Sequence, residues 1–412
     1  MKALVFGVEP EPPAAHVPEH PLLANLARTP AGLRDLPPPG LLGPDWVVLA
    51  TRLTGICGSD TKQVLMDTGG DSSDFALTAF LSFPQVLGHE VVADVLEIGP
   101  EAEGVEIGQR VVLDCWLSCG PRGIDPPCPA CRAGDLSLCW SFADGRLAPG
   151  IHTGNSADAT GGFAELLPAH CSMAVPVPDP IPDEVAVLAD PFAVSLHAVT
   201  RNPPPAGGRV VVWGAGALGL TTVAVLSALY PGVEVAVVAR HPAQQELARR
   251  FGAALVVPSE QPAEQLVVTL ADWSGGVLRQ PWKGLPLAHP AHVDVVYDTI
   301  GAPATVEAAL RVVAARGSIV VAGVHAPARF DWSPWYFKEA RLVGSNAFGV
   351  EEVEGVRKHA IEHYLDLVGS GRVDVAALLT HTFPLERWRE AFAALARQDE
   401  SGAVKVAFDL RD

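Results

Sequence analysis

Short apolar stretches separated by turn residues fill the chain from Trp46 to about Val112: WVVLATRLTGICG, VLGHEVVADVLEIG and GQRVVLD. Val-rich runs of this length, punctuated by glycine, predict the strands of a barrel-like or sandwich-like unit. Residues 119 to 160 lose that rhythm and read as loop, with many Gly, Pro and Cys. The segment VAVLADPFAVSLHAV, near 185 to 200, predicts a largely buried helix interrupted at Pro191, where two helices would meet. The run NPPPAGG (202 to 208) is a punctuation mark, and the pattern changes after it. RVVVWGAGALG leads into TTVAVLSALY, VEVAVVAR into PAQQELARRFGA, and HVDVVYDTIG into PATVEAALRVVAA, with GSIVVAGV next. Apolar strands alternating with amphipathic helices predict βαβ units, hence a parallel sheet covered on both faces. Past Asn346 come two charged amphipathic helices, EGVRKHAIEHYLDLVGSG and LERWREAFAALARQ, and a closing strand, GAVKVAFDL. The class is α/β: a β-rich unit joined to a doubly wound parallel-sheet unit.

Length and composition narrow the picture. With 412 residues the chain exceeds one ordinary core, which predicts about two domains. Hydrophobic residues make up 49%, enough for large cores, yet no apolar run approaches the roughly 20 residues of a membrane helix. The start, MKALVFGVEPEP, has neither a long apolar stretch nor a small-residue cleavage site, so no signal peptide is expected and the expected location is cytoplasmic. The 47 acidic against 29 basic residues give −18, a field that repels nucleic-acid backbones and anionic lipid and otherwise serves solubility.

The first candidate chemistry follows the strand RVVVW. Gly214, Ala215, Gly216, Ala217, Leu218 and Gly219 form GxGxxG with a strand before, a helix after and a second strand about 20 residues on. Glycines there allow a tight turn and close backbone approach, so a pyrophosphate can sit on the helix N-terminus. The second strand ends in Ala239, Arg240 and His241, where a carboxylate would hold a ribose 2′-hydroxyl. A guanidinium pairs with a 2′-phosphate instead, so NADP is expected ahead of NAD.

Cysteines supply the second. Five of the seven lie between 115 and 139, which in a chain without an export signal reads as metal binding before disulfides. Cys128, Cys131 and Cys139, with Cys119 or Cys115 upstream, offer four thiolates for a closed structural zinc. Cys119, just before Gly120, is the better placed of the two. Cys57, in LTGICGSD, would alone pass for a small buried hydrophobe. However, VLGHE supplies His89 and Glu90, and LADPF puts Asp190 in an apolar helix where an unpaired carboxylate is costly. Cys57, His89 and Asp190 together would form a mixed zinc shell with one open position, as catalytic sites have.

With GICGSD, GHE, the cysteine lobe, ADPFAVSLHAV and GAGALG in this order, the chain resembles the zinc-dependent medium-chain dehydrogenase/reductases, the alcohol, sorbitol, threonine and glucose dehydrogenases. The resemblance implies a GroES-like catalytic domain over 1–196 carrying the zinc lobe (about 115–140), a Rossmann domain over 197–345, and a return to the first domain over 346–412. It implies two zinc ions, a nicotinamide cofactor, and a homodimer or homotetramer. Cys57 and His89 would ligate the catalytic zinc, with Asp190 where polyol and threonine dehydrogenases carry an acid. Glu90 would be a carboxylate able to exchange on and off the metal, Ser59 the hydroxyl on the substrate oxygen, and Asp60 a buried structural acid. Lys62 stands where the alcohol and polyol members have a relay histidine, as in sugar dehydrogenases. GPRGIDPP (120 to 127) is an insertion in the lobe, and 66–84 and 273–292 are longer than usual, the former placed to overhang the cleft. Trp116, Trp140 and Phe142 are candidate cleft walls. The expected reaction is hydride exchange between NADP(H) and an alcohol or polyol. The alternatives are a sugar or biosynthetic dehydrogenase of the family and a catalytically silent scaffold.

Overall fold

The computed structural model describes residues 1–10, 20–67, 76–323 and 330–411. A seven-stranded sheet is built around the long strand Trp46–Gly55, which pairs antiparallel with Glu90–Ile98 and with Leu166–His170. Glu90–Ile98 continues to Arg110–Leu113 and then to Ala174–Pro176. On the other side the C-terminal strand Lys405–Asp409 pairs Ala407 with Gly55, and Leu379–Pro384 lies parallel to it at the edge. The chain therefore leaves this sheet after Pro176 and returns to it at Leu379. Trp46, Val47, Leu49 and Leu53 are buried on the central strand, whose apolar run suits a strand covered on both sides. A smaller three-stranded sheet adds Lys2–Phe6, Ala31–Asp35 and Gln85–Val86.

Beyond the proline-glycine run, six strands form a wholly parallel sheet in the order Leu255–Pro258, Glu234–Ala239, Arg209–Trp213, Val293–Asp298, Val313–Val321, Arg341–Gly344. The order reverses between Arg209–Trp213 and Val293–Asp298, so a crevice opens at the carboxyl ends of those strands, where doubly wound sheets bind ligands. Valines at 211, 237 and 296 are fully buried, as expected of strands covered by helices on both faces.

Two helices do meet near the interrupted segment, but the joint lies elsewhere. Asp183–Ala186 ends at Val187, and Ala189–Arg201 starts at once. Pro191 sits in the first turn of the second helix, where its missing N–H breaks no bond. That helix crosses the 196/197 boundary and packs on Ala217–Leu229 of the parallel-sheet unit, with Ser195 Oγ donating to the Leu218 carbonyl at 2.8 Å. The 273–292 stretch carries a two-residue hairpin, Leu278–Arg279 with Leu287–Ala288, and a fully exposed Trp282. Of the 66–84 stretch, 68–75 lie outside the described residues, and Ala76–Phe80 is one 3₁₀ turn.

Candidate active site

Cys57 lies two residues past the end of the central strand and is the N-cap of the short helix Gly58–Val64. Glu90 starts the neighbouring strand, with His89 just before it, and antiparallel pairing sets Glu90 opposite Gly55. One ligand atom each from Cys57, His89 and Glu90 falls within 4.8 Å of the others. Glycine at 55 is what permits this, because a Cβ there would overlap the Glu90 carboxylate. Asp60 organises two of the three: its Oδ2 accepts the Cys57 N–H at 3.0 Å and its Oδ1 lies 3.7 Å from His89 Nδ1. A ligating histidine whose other nitrogen faces a carboxylate is the usual outer-shell arrangement of a metal site.

Asp190, in the first turn of Ala189–Arg201, lies outside that set of three. Its Oδ2 faces the Cys115 thiol at 3.7 Å. Burial raises its carboxyl to about 7, with His89 pulling the other way. Burial and Asp190 together push the Cys115 thiol well up. Burial lowers the His89 imidazole, but Asp60 and Cys57 outweigh it and hold the ring well above its ordinary range. A site this rich in buried acids and thiol suits a cation. A thiolate, an imidazole and a carboxylate with ligand atoms within 4.8 Å of one another are the donor set of a mixed-ligand zinc, so these residues pass the chemical test for that metal.

Sequence reasoning missed Lys405. It is 2% exposed on the last strand, pairs with Glu90, and donates to the Ile56 carbonyl at 3.0 Å. Its signal was a lysine inside the apolar run GAVKVAFDL. Burial lowers its ammonium, and Glu90 more than restores it, leaving the pKa above the lysine norm. Ser59 and Lys62, three apart on Gly58–Val64, share one exposed face of that helix. Of the candidate walls, Trp116 is buried against His152 and Phe348, Phe142 belongs to the core, and Trp140 is exposed.

The lobe brings Cys119, Cys128, Cys131 and Cys139 together, with all four sulfurs within 4.8 Å; Cys115 is not among them. Backbone N–H groups of Cys128, Cys131 and Ser141 point at sulfurs of Cys119, Cys128 and Cys139 at 3.3, 3.5 and 3.4 Å. Burial raises the Cys128 thiol, but N–H groups of Trp140 and Cys131 outweigh it and bring it down to about 6; burial sends Cys131 up to about 11. No disulfide links them, and donors aimed at sulfur favour thiolate, so the set fits a closed zinc site. The insertion explains itself here. Arg122, fully buried, donates to the carbonyls of Leu117, Asp144, Leu147, Ala148 and Gly150, tying the approach to Cys119 to the chain leaving Cys139.

At the switch point, Gly214 has φ +95°, Gly216 is the N-cap of Ala217–Leu229, and a Cβ at Gly219 would overlap the Gly214 carbonyl. Gly216 has no heavy atom near where a Cβ would be, which leaves room for a phosphate on the helix start occupied by Ala217 and Leu218. Opposite, Asp298 accepts from Ile300 N at 3.0 Å and Gly301 N at 2.9 Å, fixing the loop beside Gly214. Arg240 follows the strand Glu234–Ala239, is exposed, and makes no ion pair among the described residues. His241 caps the next helix, Pro242–Arg250, and burial together with Arg240 lowers its imidazole.

Known proteins bear on this arrangement. Residues 43–179 match the alcohol dehydrogenase GroES-like domain family, and 217–363 match the zinc-binding dehydrogenase family. The chain belongs to the zinc-dependent medium-chain dehydrogenase/reductases. Among members of this family, (R,R)-butanediol dehydrogenase of Saccharomyces cerevisiae is 28% identical over 90% of this chain and 93% of its own length. L-threonine 3-dehydrogenase of Pectobacterium carotovorum is 28% identical over 92% and 95%. The crystal structure of 2R,3R-butanediol dehydrogenase from Bacillus subtilis shares the fold, with a TM-score of 0.73, 22% identity, and 100% and 99% coverage. The GroES-like and Rossmann assignments for this chain are thereby established. No helix of the described residues is long and apolar enough to cross a membrane.

Proposed function

We propose that this dehydrogenase exchanges hydride between NADP(H) and a secondary alcohol or polyol, using one catalytic and one structural zinc. The observation that carries the reading is the meeting of Cys57, His89 and Glu90 beside Asp190, joined to a glycine turn at the switch point of the parallel sheet. In this reading Cys57 and His89 hold the catalytic metal, and one of the two carboxylates, Asp190 or Glu90, completes its protein ligands. Cys119, Cys128, Cys131 and Cys139 hold the structural one. When bound, zinc supplies Lewis acidity at the substrate oxygen and the nicotinamide supplies the hydride carrier.

The chain's own residues do the rest. Asp60 keeps Cys57 and His89 in place. Lys405 neutralises Glu90, so that the site is not overloaded with negative charge. Ser59 receives the substrate hydroxyl's proton, since a serine hydroxyl donates and accepts at once, and Lys62 on the same helix face lies next on the route to solvent. Gly214, Gly216, Ala217, Leu218 and Gly219 seat the pyrophosphate. Arg240 reads the 2′-phosphate, with His241 beside it. The polar surroundings, Asp190 and Lys62 among them, favour a substrate with several oxygens over a long alkyl alcohol, consistent with relatives that act on butanediol and threonine. Residues 1–196 and 346–412 form the catalytic unit in this proposal, 197–345 the cofactor unit.

The test is a spectrophotometric screen of alcohols, diols, polyols and aldoses with NADP and with NAD. Turnover of a diol or polyol with a higher kcat/KM for NADP is expected. No turnover of any hydroxyl substrate with either cofactor, in zinc-replete protein, contradicts the reading.

A further inference from the structure

His152 belongs to none of the motifs that mark the site, yet its ring lies directly against that of His89. Its ring centroid is 4.4 Å from that of His89, the planes inclined by 47°. Trp116 closes on it edge-first, with centroids at 6.1 Å. The main chain here is fixed rather than a free loop. Trp116 and His152 form an antiparallel bridge, Leu117 N donates to Ile151 O at 3.1 Å, and Thr153 N donates to Cys115 O at 2.8 Å. Asn155 N donates to the His152 carbonyl at 2.9 Å. The ring therefore has little freedom to move.

Its hydrogen bonding is equally constrained. His152 Nδ1 lies 2.8 Å from the Thr153 carbonyl, which only accepts, so Nδ1 carries the hydrogen and Nε2 is left as an acceptor. Nε2 has no hydrogen-bond partner among the described residues. Its bridge partner Trp116 follows Cys115, whose thiol faces Asp190. The metal ligands thus have beside them a lone acceptor nitrogen held at fixed orientation, not an apolar wall.

We propose that His152 Nε2 is a specificity-determining acceptor for a second hydroxyl of the substrate, on the carbon adjacent to the one oxidised. This rests on the alcohol or polyol reading above. A vicinal diol donates that hydroxyl to Nε2. A monoalcohol puts a methylene there and strips water from the nitrogen without replacing it, and sites built to bond a hydroxyl discriminate strongly against analogues lacking one.

The experiment compares 2,3-butanediol with 2-butanol on zinc-loaded wild type, His152→Phe and His152→Gln, with circular dichroism and zinc content measured for each. Wild type is expected to favour the diol. His152→Phe should lower kcat/KM for the diol about 10–100-fold, mostly through KM, and change 2-butanol less than about threefold. His152→Gln, whose amide oxygen accepts, should recover part of the diol preference even if the Phe variant folds poorly. Equal loss for both alcohols, no loss for either, or a wild type that prefers 2-butanol overturns the assignment. A wild type that oxidises neither alcohol, nor any other hydroxyl substrate, overturns instead the functional reading on which it rests.

Discussion

Lys405→Met isolates a single interaction whose size follows from the structure. Lys405 and Glu90 are each 2% exposed, and they face one another across the strands that carry the site. Exposed ion pairs contribute about 0–1 kcal/mol, but removing one member of a buried pair leaves an uncompensated charge and costs roughly 3–5 kcal/mol. The Ile56 carbonyl loses its charged donor as well. Because Glu90 raises the Lys405 pKa above its unfolded value, the lysine's contribution is present at neutral pH and is lost as pH rises through the folded lysine value. The assay is urea unfolding of the metal-free protein at pH 7, followed by tryptophan fluorescence, on wild type, Lys405→Met, Glu90→Gln and the double variant. Lys405→Met should lose about 3–5 kcal/mol, and Glu90→Gln on that background should recover much of it because no lone carboxylate remains. A loss below about 1 kcal/mol, or strict additivity in the double variant, would refute the claim of a buried coupled pair.

Three further outcomes are expected. Arg240→Ala should raise KM for NADPH about 10–100-fold and leave NADH nearly unchanged, checked by initial rates with both cofactors; equal effects would remove the phosphate-reading role. Asp183 is 3% exposed and receives Arg52, Arg110 and Arg411; burial raises its carboxyl, but Arg52 and Arg110 outweigh that and hold it below the usual range. Its stabilisation is present above the unfolded value of about 4 and lost as pH falls through the folded one, so Asp183→Asn should destabilise by about 2–4 kcal/mol at pH 7 and progressively less toward pH 3, measured by thermal unfolding across pH. Arg122→Met leaves five carbonyls without their donor and should speed zinc release to a chromogenic chelator at least about tenfold, with an unchanged release rate contradicting its role in the lobe.

Local signals made much of this legible. The βαβ alternation and the glycines from 214 to 219 are short-range features, and the parallel sheet and its switch point follow from them. The cysteine spacing carried the lobe, and the choice of Cys119 over Cys115 came from its neighbouring glycine turn. What sequence could not supply is long-range partnership. Lys405 meets Glu90 across 315 positions of chain, a meeting decided by antiparallel pairing of the last strand with the central one. Asp60 looked like a buried acid, but its role in orienting Cys57 and His89 needs the strand that brings them together. The cost of an unpaired acid in an apolar helix singles out Asp190 in the sequence, but its thiol neighbour Cys115, beyond a separate strand end, is visible only in the structure. Arg122 and His152 carry no periodic signature, because their importance comes from which carbonyl or ring they reach.

In the proposed function Cys57 and His89 grip one metal ion in a site separate from the four-cysteine lobe. Zinc content per chain, measured by inductively coupled plasma mass spectrometry on wild type and on Cys57→Ala, tests it most directly. Two zinc ions in wild type and one in the variant, with NADPH binding retained and turnover lost, is the expected result. Two ions still bound in active Cys57→Ala protein would contradict it.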